Sequence, residues 1–419
     1  MGEWVTDTVI NLQSRGILRV EDGNHGEARP RPDEFVDVGV AYIRAADMAN
    51  GSILFDSASK INRKARERIT KGIGKPGDIL ISHKGTVGRI ARAPINAPDF
   101  VCSPQTTFWR STNEEILSQD FLYSYVRSPK FSQEFLVRSG ETDMAGYVSL
   151  TSQRCLVLSI PPIELQRPIG ALMSALDEKI ELNRQMNETL EAMARAVFKD
   201  WFVDFGPTRA KIERRAPYLT PDIWSLFPDR LDDDGKPEGW VLGAMTDLIM
   251  LQRGFDLPSQ ARTDGQYPII AASGPSGCHN SYMVKGPGVV TGRSGVLGNV
   301  FFVHEDFWPL NTSLWVREFR RATPSFAYFY LCGIDFAAFN AGSAVPTLNR
   351  NHVHGLSTVL PPDSLVKKFD ETVMPLLRLQ ENNRLETKVV GDTRDFLLPK
   401  LMSGEVRLKD AERLVSEAT

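Results

Sequence analysis

The chain has 419 residues, of which 42% are apolar and 24% charged, with a net charge of −3. That length allows more than one domain, each with its own core, and the composition is that of an ordinary folded protein. It excludes a polycation, so any nucleic-acid binding has to come from local patches.

In chain order, the opening MGEWVTDTVINL lacks the basic-then-apolar pattern of a signal peptide. No apolar run approaches the roughly 18 residues that a membrane span needs. Residues 23–37 are polar and rich in Gly and Pro, and read as a loop. GVAYIRAADM reads as a strand, and GDILISHKGTVGRIARAP as strand, glycine turn, strand. FVCSPQTTFWR is a second apolar-alternating run. Residues 119–138 have a helical pattern with a break at Pro129. After Pro161 and Pro162 comes a long run with apolar residues at 4-3 spacing. Ile169, Met173, Leu176, Ile180, Leu190, Ala194, Val197 and Trp201 share one seam, which only Asn183 and Asn187 interrupt. That spacing predicts a coiled-coil helix. Residues 206–238 are rich in Pro and Asp and predict a connector, and Trp240 begins a new globular unit.

The second half restates the first. Pro161-Pro162 recurs as Pro361-Pro362, and the helix that follows matches without gaps at a shift of 200. KPGDILISHKGTVG lines up with KGPGVVTGRSGVLG, QTTFW (105–109) with NTSLW (311–315), and FLYSY with FAYFY. Trp4 matches Trp240. The second seam has Phe369, Val373, Leu376, Val390, Leu397 and Leu401, interrupted by Gln380, Asn383, Thr387 and Arg394. Asn183 and Asn383 are equivalent, and a buried Asn on a seam sets register at a cost in stability. Pro375 and Gly391 predict a bent or weakened second helix. The expected fold is α+β: two globular domains related by pseudo-two-fold symmetry, separated by two long antiparallel coiled-coil helices. The expected boundaries are 1–157, helix 158–205, connector 206–238, second domain 239–358, helix 359–408 and a C-terminal tail 409–419. A helix of roughly 40 residues spans about 60 Å, against about 34 Å for one turn of DNA.

Catalytic chemistry finds no support. There is no G-x-x-x-x-G-K-[ST], and the glycines at 85–88 and 292–298 lie between strands rather than before a helix. Cys102, Cys155, Cys278 and Cys332 form no CxxC, which argues against a disulfide framework or zinc site and fits a cytoplasmic location. Asp229, Asp234 and Lys236 resemble a nuclease string but sit in the connector, where Asp-Gly-Lys-Pro is ordinary turn chemistry. No catalytic or metal-binding residue is assigned.

Binding chemistry is better supported. Residues 60–92 hold ten Lys or Arg against Glu67 and Asp78. Such clustering in a slightly acidic chain suits phosphate contact. Lys84, Thr86, Arg89 and Arg92 lie on or near the glycine turn, and Gln105 and Thr106 could reach base edges. Arg293, Ser294, Asn311 and Thr312 are their counterparts in the second half. The bland alternative is a solvated charged face.

The chain resembles the specificity (S) subunits of type I restriction–modification systems. IPPIELQRPIGALMSALDEKIELNRQ, AVFKDWFVDFGP, PEGW, GDILISHKGTVG and LLPKLMSGEVRL carry the resemblance, and the order recognition domain, helix, recognition domain, helix covers nearly the whole chain. It implies a non-enzymatic reader of double-stranded DNA with a split target, each domain reading one half. It also implies partners: two methyltransferase (M) subunits docked on the helices, then restriction (R) subunits. S-adenosylmethionine, ATP and Mg would belong to those partners, with no cofactor on this chain and no membrane association. The alternative is a coiled-coil interaction scaffold without sequence-specific readout.

Overall fold

The computed structural model describes residues 4–139, 146–339 and 346–418. The chain forms two compact units. The first is Met1–Leu182 with Glu386–Thr419, and the second is Asn183–Leu385. Two long helices, Ile163–Phe198 and Asp363–Ser403, each give one half to each unit.

In the first unit the main antiparallel ladder places Thr106–Ser111 between Leu18–Asp22 and Ile79–Ser82, with Ile90–Arg92 beyond. Phe100–Cys102 pairs in parallel with Val40–Ile43. Val5–Thr8 closes against Val157–Ile160. One face of the ladder buries Val20, Ile79, Ile81 and Trp109 against Phe121, Tyr125 and Phe131 of the helices Gln119–Val126 and Pro129–Ser139. The other face packs Leu80 and Phe108 on Ile43 and Phe100. Alternation along the strands produces both cores, because successive side chains leave a strand on opposite faces.

The second unit repeats this plan. Ser313–Phe319 lies between Ile249–Arg253 and Gly288–Gly292, followed by Val300–Val303. Trp308–Pro309 pairs in parallel with Tyr267–Ala271, and Val241–Ala244 pairs antiparallel with Ser357–Leu360. The expected match of Trp4 with Trp240 is reflected in the strands that follow them. Val9 N–H donates to Leu156 O, and Met245 N–H to Leu356 O, at 2.9 and 2.8 Å.

Within the first unit the helix halves run antiparallel, with Lys179 bonded to Glu386 and Asp177 to Arg394 at 2.9 and 2.7 Å. Ile169, Met173, Leu176, Val390 and Leu397 are buried in its core, and Ile180 is half-buried. Within the second unit Asn183 donates to Asn383 O at 3.4 Å, Asn187 to Gln380 O at 3.2 Å, and Asn383 to the Asn187 amide oxygen at 2.9 Å. The interrupting amides are therefore paired across the helices rather than exposed to water. Leu190, Phe369 and Val373 are buried and Val197 is half-buried. Leu377 is buried at the place expected for Leu376, which is only half-buried. The second helix runs without interruption through Pro375 and Gly391.

Two segments are more ordered than their composition suggests. The expected connector 206–238 holds helices Gly206–Ile212 and Pro221–Trp224, and buries Ala210 and Phe227. Of the expected tail 409–419, residues 409–418 belong to helix Leu408–Ala418, whose Ala411 is fully buried in the first unit's core, and residue 419 lies outside the described residues.

Gly170 explains how close two helices of the first unit come. A Cβ there would sit 2.7 Å from Phe121 N and 2.8 Å from Asp120 Cβ. Neither atom is a flexible side-chain end. Gly170→Ala should therefore cost about 1–3 kcal/mol by overpacking, more than the helix-propensity gain of about 1 kcal/mol offsets. Urea unfolding measures this, and a midpoint at or above wild type would refute the tight contact.

Candidate nucleic-acid interface

The first unit's candidate surface is built on the turn that joins Ile79–Ser82 to Ile90–Arg92. Gly85 and Gly88 have φ of 79° and 89°, a left-handed backbone that glycine adopts without strain. The turn is tied down from two sides. His83 N–H donates to Gln105 O, and Val148 N–H donates to His83 O, both at 2.9 Å. Gly85 N–H donates to Gly146 O at 3.2 Å. The result is a rigid loop presenting exposed Lys84 and Thr86 beside exposed Gln105.

The other expected contacts are engaged elsewhere. Arg89 is exposed along its length, but its guanidinium donates to Ala45 O at 3.0 Å and Met48 O at 3.4 Å. Arg92 pairs with Asp120 at 2.5 Å and lies over the Tyr123 ring. Thr106 is fully buried and its hydroxyl donates to Ser103 O at 3.0 Å, so it is removed from the set of base-reaching residues.

The basic run divides by residue type. Arg63, Arg66 and Arg68 pair with Glu67, Asp99 and Glu34. The Arg68 guanidinium, and then the Arg31 N–H, hold the Glu34 carboxyl down at about 2. Lys60, Lys64, Lys71, Lys75 and Lys84 have no ion pair among the described residues. The lysines, rather than the arginines, are the charges available to phosphate.

The second unit carries the same turn between Gly288–Gly292 and Val300–Val303, with Gly295 and Gly298 both at φ 89°. Arg293 N–H donates to Thr312 O, Leu348 N–H to Arg293 O, and Gly295 N–H to Pro346 O, at 2.9, 2.8 and 2.9 Å. Ser294 bridges Thr347 as Lys84 bridges Tyr147. Arg293, Ser294, Asn311 and Thr312 are all half-buried. Asn311 donates to the Asp256 carboxylate, and the Thr312 hydroxyl accepts from Ala272 N–H at 3.3 Å.

Strand register corrects one expected equivalence. Ser82 faces Thr106 and Leu80 faces Phe108, while Gly292 faces Ser313 and Val290 faces Trp315. The counterpart of Thr106 is therefore Ser313, not Thr312, and that of Gln105 is Thr312, not Asn311. Thr106 and Ser313 are both fully buried, and each hydroxyl donates to the carbonyl three residues earlier. A one-residue slip moves a side chain to the other face of a sheet. The corrected register also shows that Arg293 stands in the place of His83, and Arg253 in that of Asp22. Sequence reasoning missed His83, Asp22 and Arg253: His83 stands beside the turn and already aligns with Arg293, whereas only ladder pairing brings Asp22 and Arg253 there.

His83 is 3% exposed, with Nδ1 3.0 Å from Val148 O and Nε2 3.8 Å from Asp22 Oδ1. Burial pushes its pKa below the usual histidine value, against the pull of Asp22, so the ring is neutral at neutral pH. No group of three or more His, Cys, Asp or Glu among the described residues could hold a metal ion. Asp229 pairs with Lys211 and Asp234 with Lys236, as turn and surface ion pairs. No helix among the described residues is long and apolar enough to cross a membrane.

Comparison with known proteins bears on this arrangement. A family model described as a type I restriction modification DNA specificity domain matches residues 24–192. The chain is 24% identical over 408 residues to the type I restriction enzyme MjaIX specificity subunit of Methanocaldococcus jannaschii, covering 88% of each. It is 24% identical over 439 residues to the HindI specificity subunit of Haemophilus influenzae, covering 88% of this chain and 94% of that one. Its fold is similar to that of the type I restriction-modification S subunit from M. genitalium, with a TM-score of 0.60 at 14% identity and 96% coverage of both chains.

Proposed function

We propose that this chain, an HsdS-like protein similar to type I restriction–modification specificity subunits, is a non-catalytic reader of a split DNA target. Each unit reads one half through its glycine-turn surface. The long helices form an antiparallel coiled-coil spacer and dock two methyltransferase subunits, to which restriction subunits attach. S-adenosylmethionine, ATP and Mg are used by those partners.

The observation that carries this reading is the recurrence, in both units, of one rigid strand–turn–strand presenting polar side chains: Lys84, Thr86 and Gln105 in the first, Arg293, Ser294 and Thr312 in the second. A single reading site would require only one such turn. One observation favours the scaffold alternative, namely that the arginines of the basic run are largely paired internally.

Methylome sequencing of cells carrying the chain with its methyltransferase, and of cells with the chain deleted, separates the two. Adenine methylation at a two-part motif, lost on deletion, is expected. Methylation that does not depend on the chain would leave the scaffold reading.

A further inference from the structure

We infer that the two reading surfaces recognise base edges of opposite hydrogen-bonding polarity. The first accepts from the exocyclic amino group of adenine or cytosine through Asp22. The second donates to the acceptor edge of guanine through Arg253 and Arg293. This rests on the DNA-reading function proposed above and deepens it.

Strand register supplies the equivalence. Asp22 faces Thr107 and Arg253 faces Leu314, each one residue beyond the matched pair Thr106 and Ser313. His83 and Arg293 each follow the preceding strand and donate an N–H to the carbonyl of Gln105 or Thr312. The same two places thus hold a carboxylate and an imidazole in one unit, and two guanidiniums in the other.

In the first unit the group at this place is an acceptor. Val148 O can only accept, so the proton of the neutral His83 ring sits on Nδ1 and leaves Nε2 an acceptor. Nε2 therefore faces Asp22 Oδ1 acceptor to acceptor across 3.8 Å, and both buried atoms lack a hydrogen-bond partner. His83 does not neutralise Asp22, whose side chain remains 24% exposed beside the turn that carries Lys84. A free carboxylate on a DNA-facing surface repels phosphate and weakens binding. What it can gain is a hydrogen bond from a base amino group, which is how Asp and Glu read base edges.

In the second unit the same place is a pure donor. Arg253 is 51% exposed, and its nearest carboxylate, Asp256, is 3.7 Å away and itself 70% exposed. Asp256 is shared with the Asn311 amide. Arg293 makes one long hydrogen bond, 3.4 Å, to Asn311 O. Guanidinium forks match the O6 and N7 acceptors of guanine, the commonest specific contact in the major groove.

The test compares the methylated motif of the complex formed by the full chain and its methyltransferase with those of Asp22→Ala, Asp22→Asn, Arg253→Ala and Arg293→Ala. Asp22→Ala should relax one position in one half only, with preference there falling on the order of ten- to a hundred-fold. The base lost tells adenine from cytosine. Arg253→Ala and Arg293→Ala should relax guanine in the other half only. Should Asp22→Ala fail to accumulate folded, Asp22→Asn keeps its shape and, with a new donor, should admit an acceptor-bearing base at that position. The inference is overturned if the wild-type motif is split yet the Asp22 variants leave every preference unchanged or lower methylation uniformly. A wild-type motif that is not split would instead remove the two-reader proposal on which the inference rests.

Discussion

Phe369→Ala is expected to destabilise the second unit by about 3–5 kcal/mol. Phe369 is fully buried on the second long helix, and five rings surround it. Phe202 is 5.3 Å away between centroids, Phe198 5.7 Å, and Trp201, Phe329 and Phe326 lie at 6.1, 6.1 and 6.2 Å. All five meet it at steep angles, the edge-to-face geometry that aromatic quadrupoles favour. Truncation removes the transfer free energy of a phenyl ring and those contacts together. The cavity cannot collapse easily, because its walls come from the end of one helix, the interior of another and the helix Pro324–Cys332. Phe369→Leu retains most of the volume and should cost less than half as much. Denaturant unfolding measures both. Equal losses for Ala and Leu would show that ring geometry, not volume, dominates. The corresponding position of the first unit is Ile169, whose core neighbours include Leu398 and Leu401. At this one position the shared plan thus holds an aliphatic side chain in the first unit and an aromatic one in the second.

That contrast shows what could be read from the residues. Helix periodicity and the strand–turn–strand pattern are local, and the two long helices and the glycine turns lie within the expected segments, although the starts of the expected helices 158–205 and 359–408 are strand ends, Val157–Ile160 and Ser357–Leu360. The slip at 105–109 against 311–315 came from matching letters. Thr106 and Trp109 align by identity with Thr312 and Trp315, but the ladder sets Phe108 against Leu80 and Trp315 against Val290. Trp109 consequently packs on the face with Ile79 and Phe121, and Trp315 on the opposite face with Val290 and Ile270. Register is a property of the paired strands and is invisible in either strand alone. The basic run misled for a related reason. Only two acids lie within it, and three of its arginines find Asp99, Glu34 and Asp120 from outside. The segment 409–419 was legible in principle: Leu408, Ala411, Leu414 and Val415 keep helical spacing and pack on the first unit's core.

Removing the carboxylate of Asp177 should cost the first unit about 2–3 kcal/mol. Asp177 lies between two arginines. Arg127 reaches it bidentately, and Arg394 donates to Oδ1 at 2.7 Å. All three side chains are 20% exposed. Arg127 also lies 4.8 Å over the Tyr123 ring, and Arg394 is shared with the exposed Asp395 at 2.8 Å. Asp177→Ala leaves two mostly buried cations facing each other with no common anion. Breaking a fully buried pair costs about 3–5 kcal/mol, and the residual exposure, which admits water and counterions, lowers the expectation. The triple replacement Arg127→Met, Asp177→Leu, Arg394→Met desolvates nothing charged and should lie within about 1 kcal/mol of wild type. Urea unfolding at low and high salt separates the cases. Asp177→Ala should recover part of its loss in 1 M salt, where the Debye length falls to about 3 Å, while the triple variant should not respond. If Asp177→Ala proves neutral at both salt concentrations, then Arg127 and Arg394 are held by Tyr123 and Asp395 alone, and the carboxylate does not fasten the helix Gln119–Val126 to the long helices of this unit.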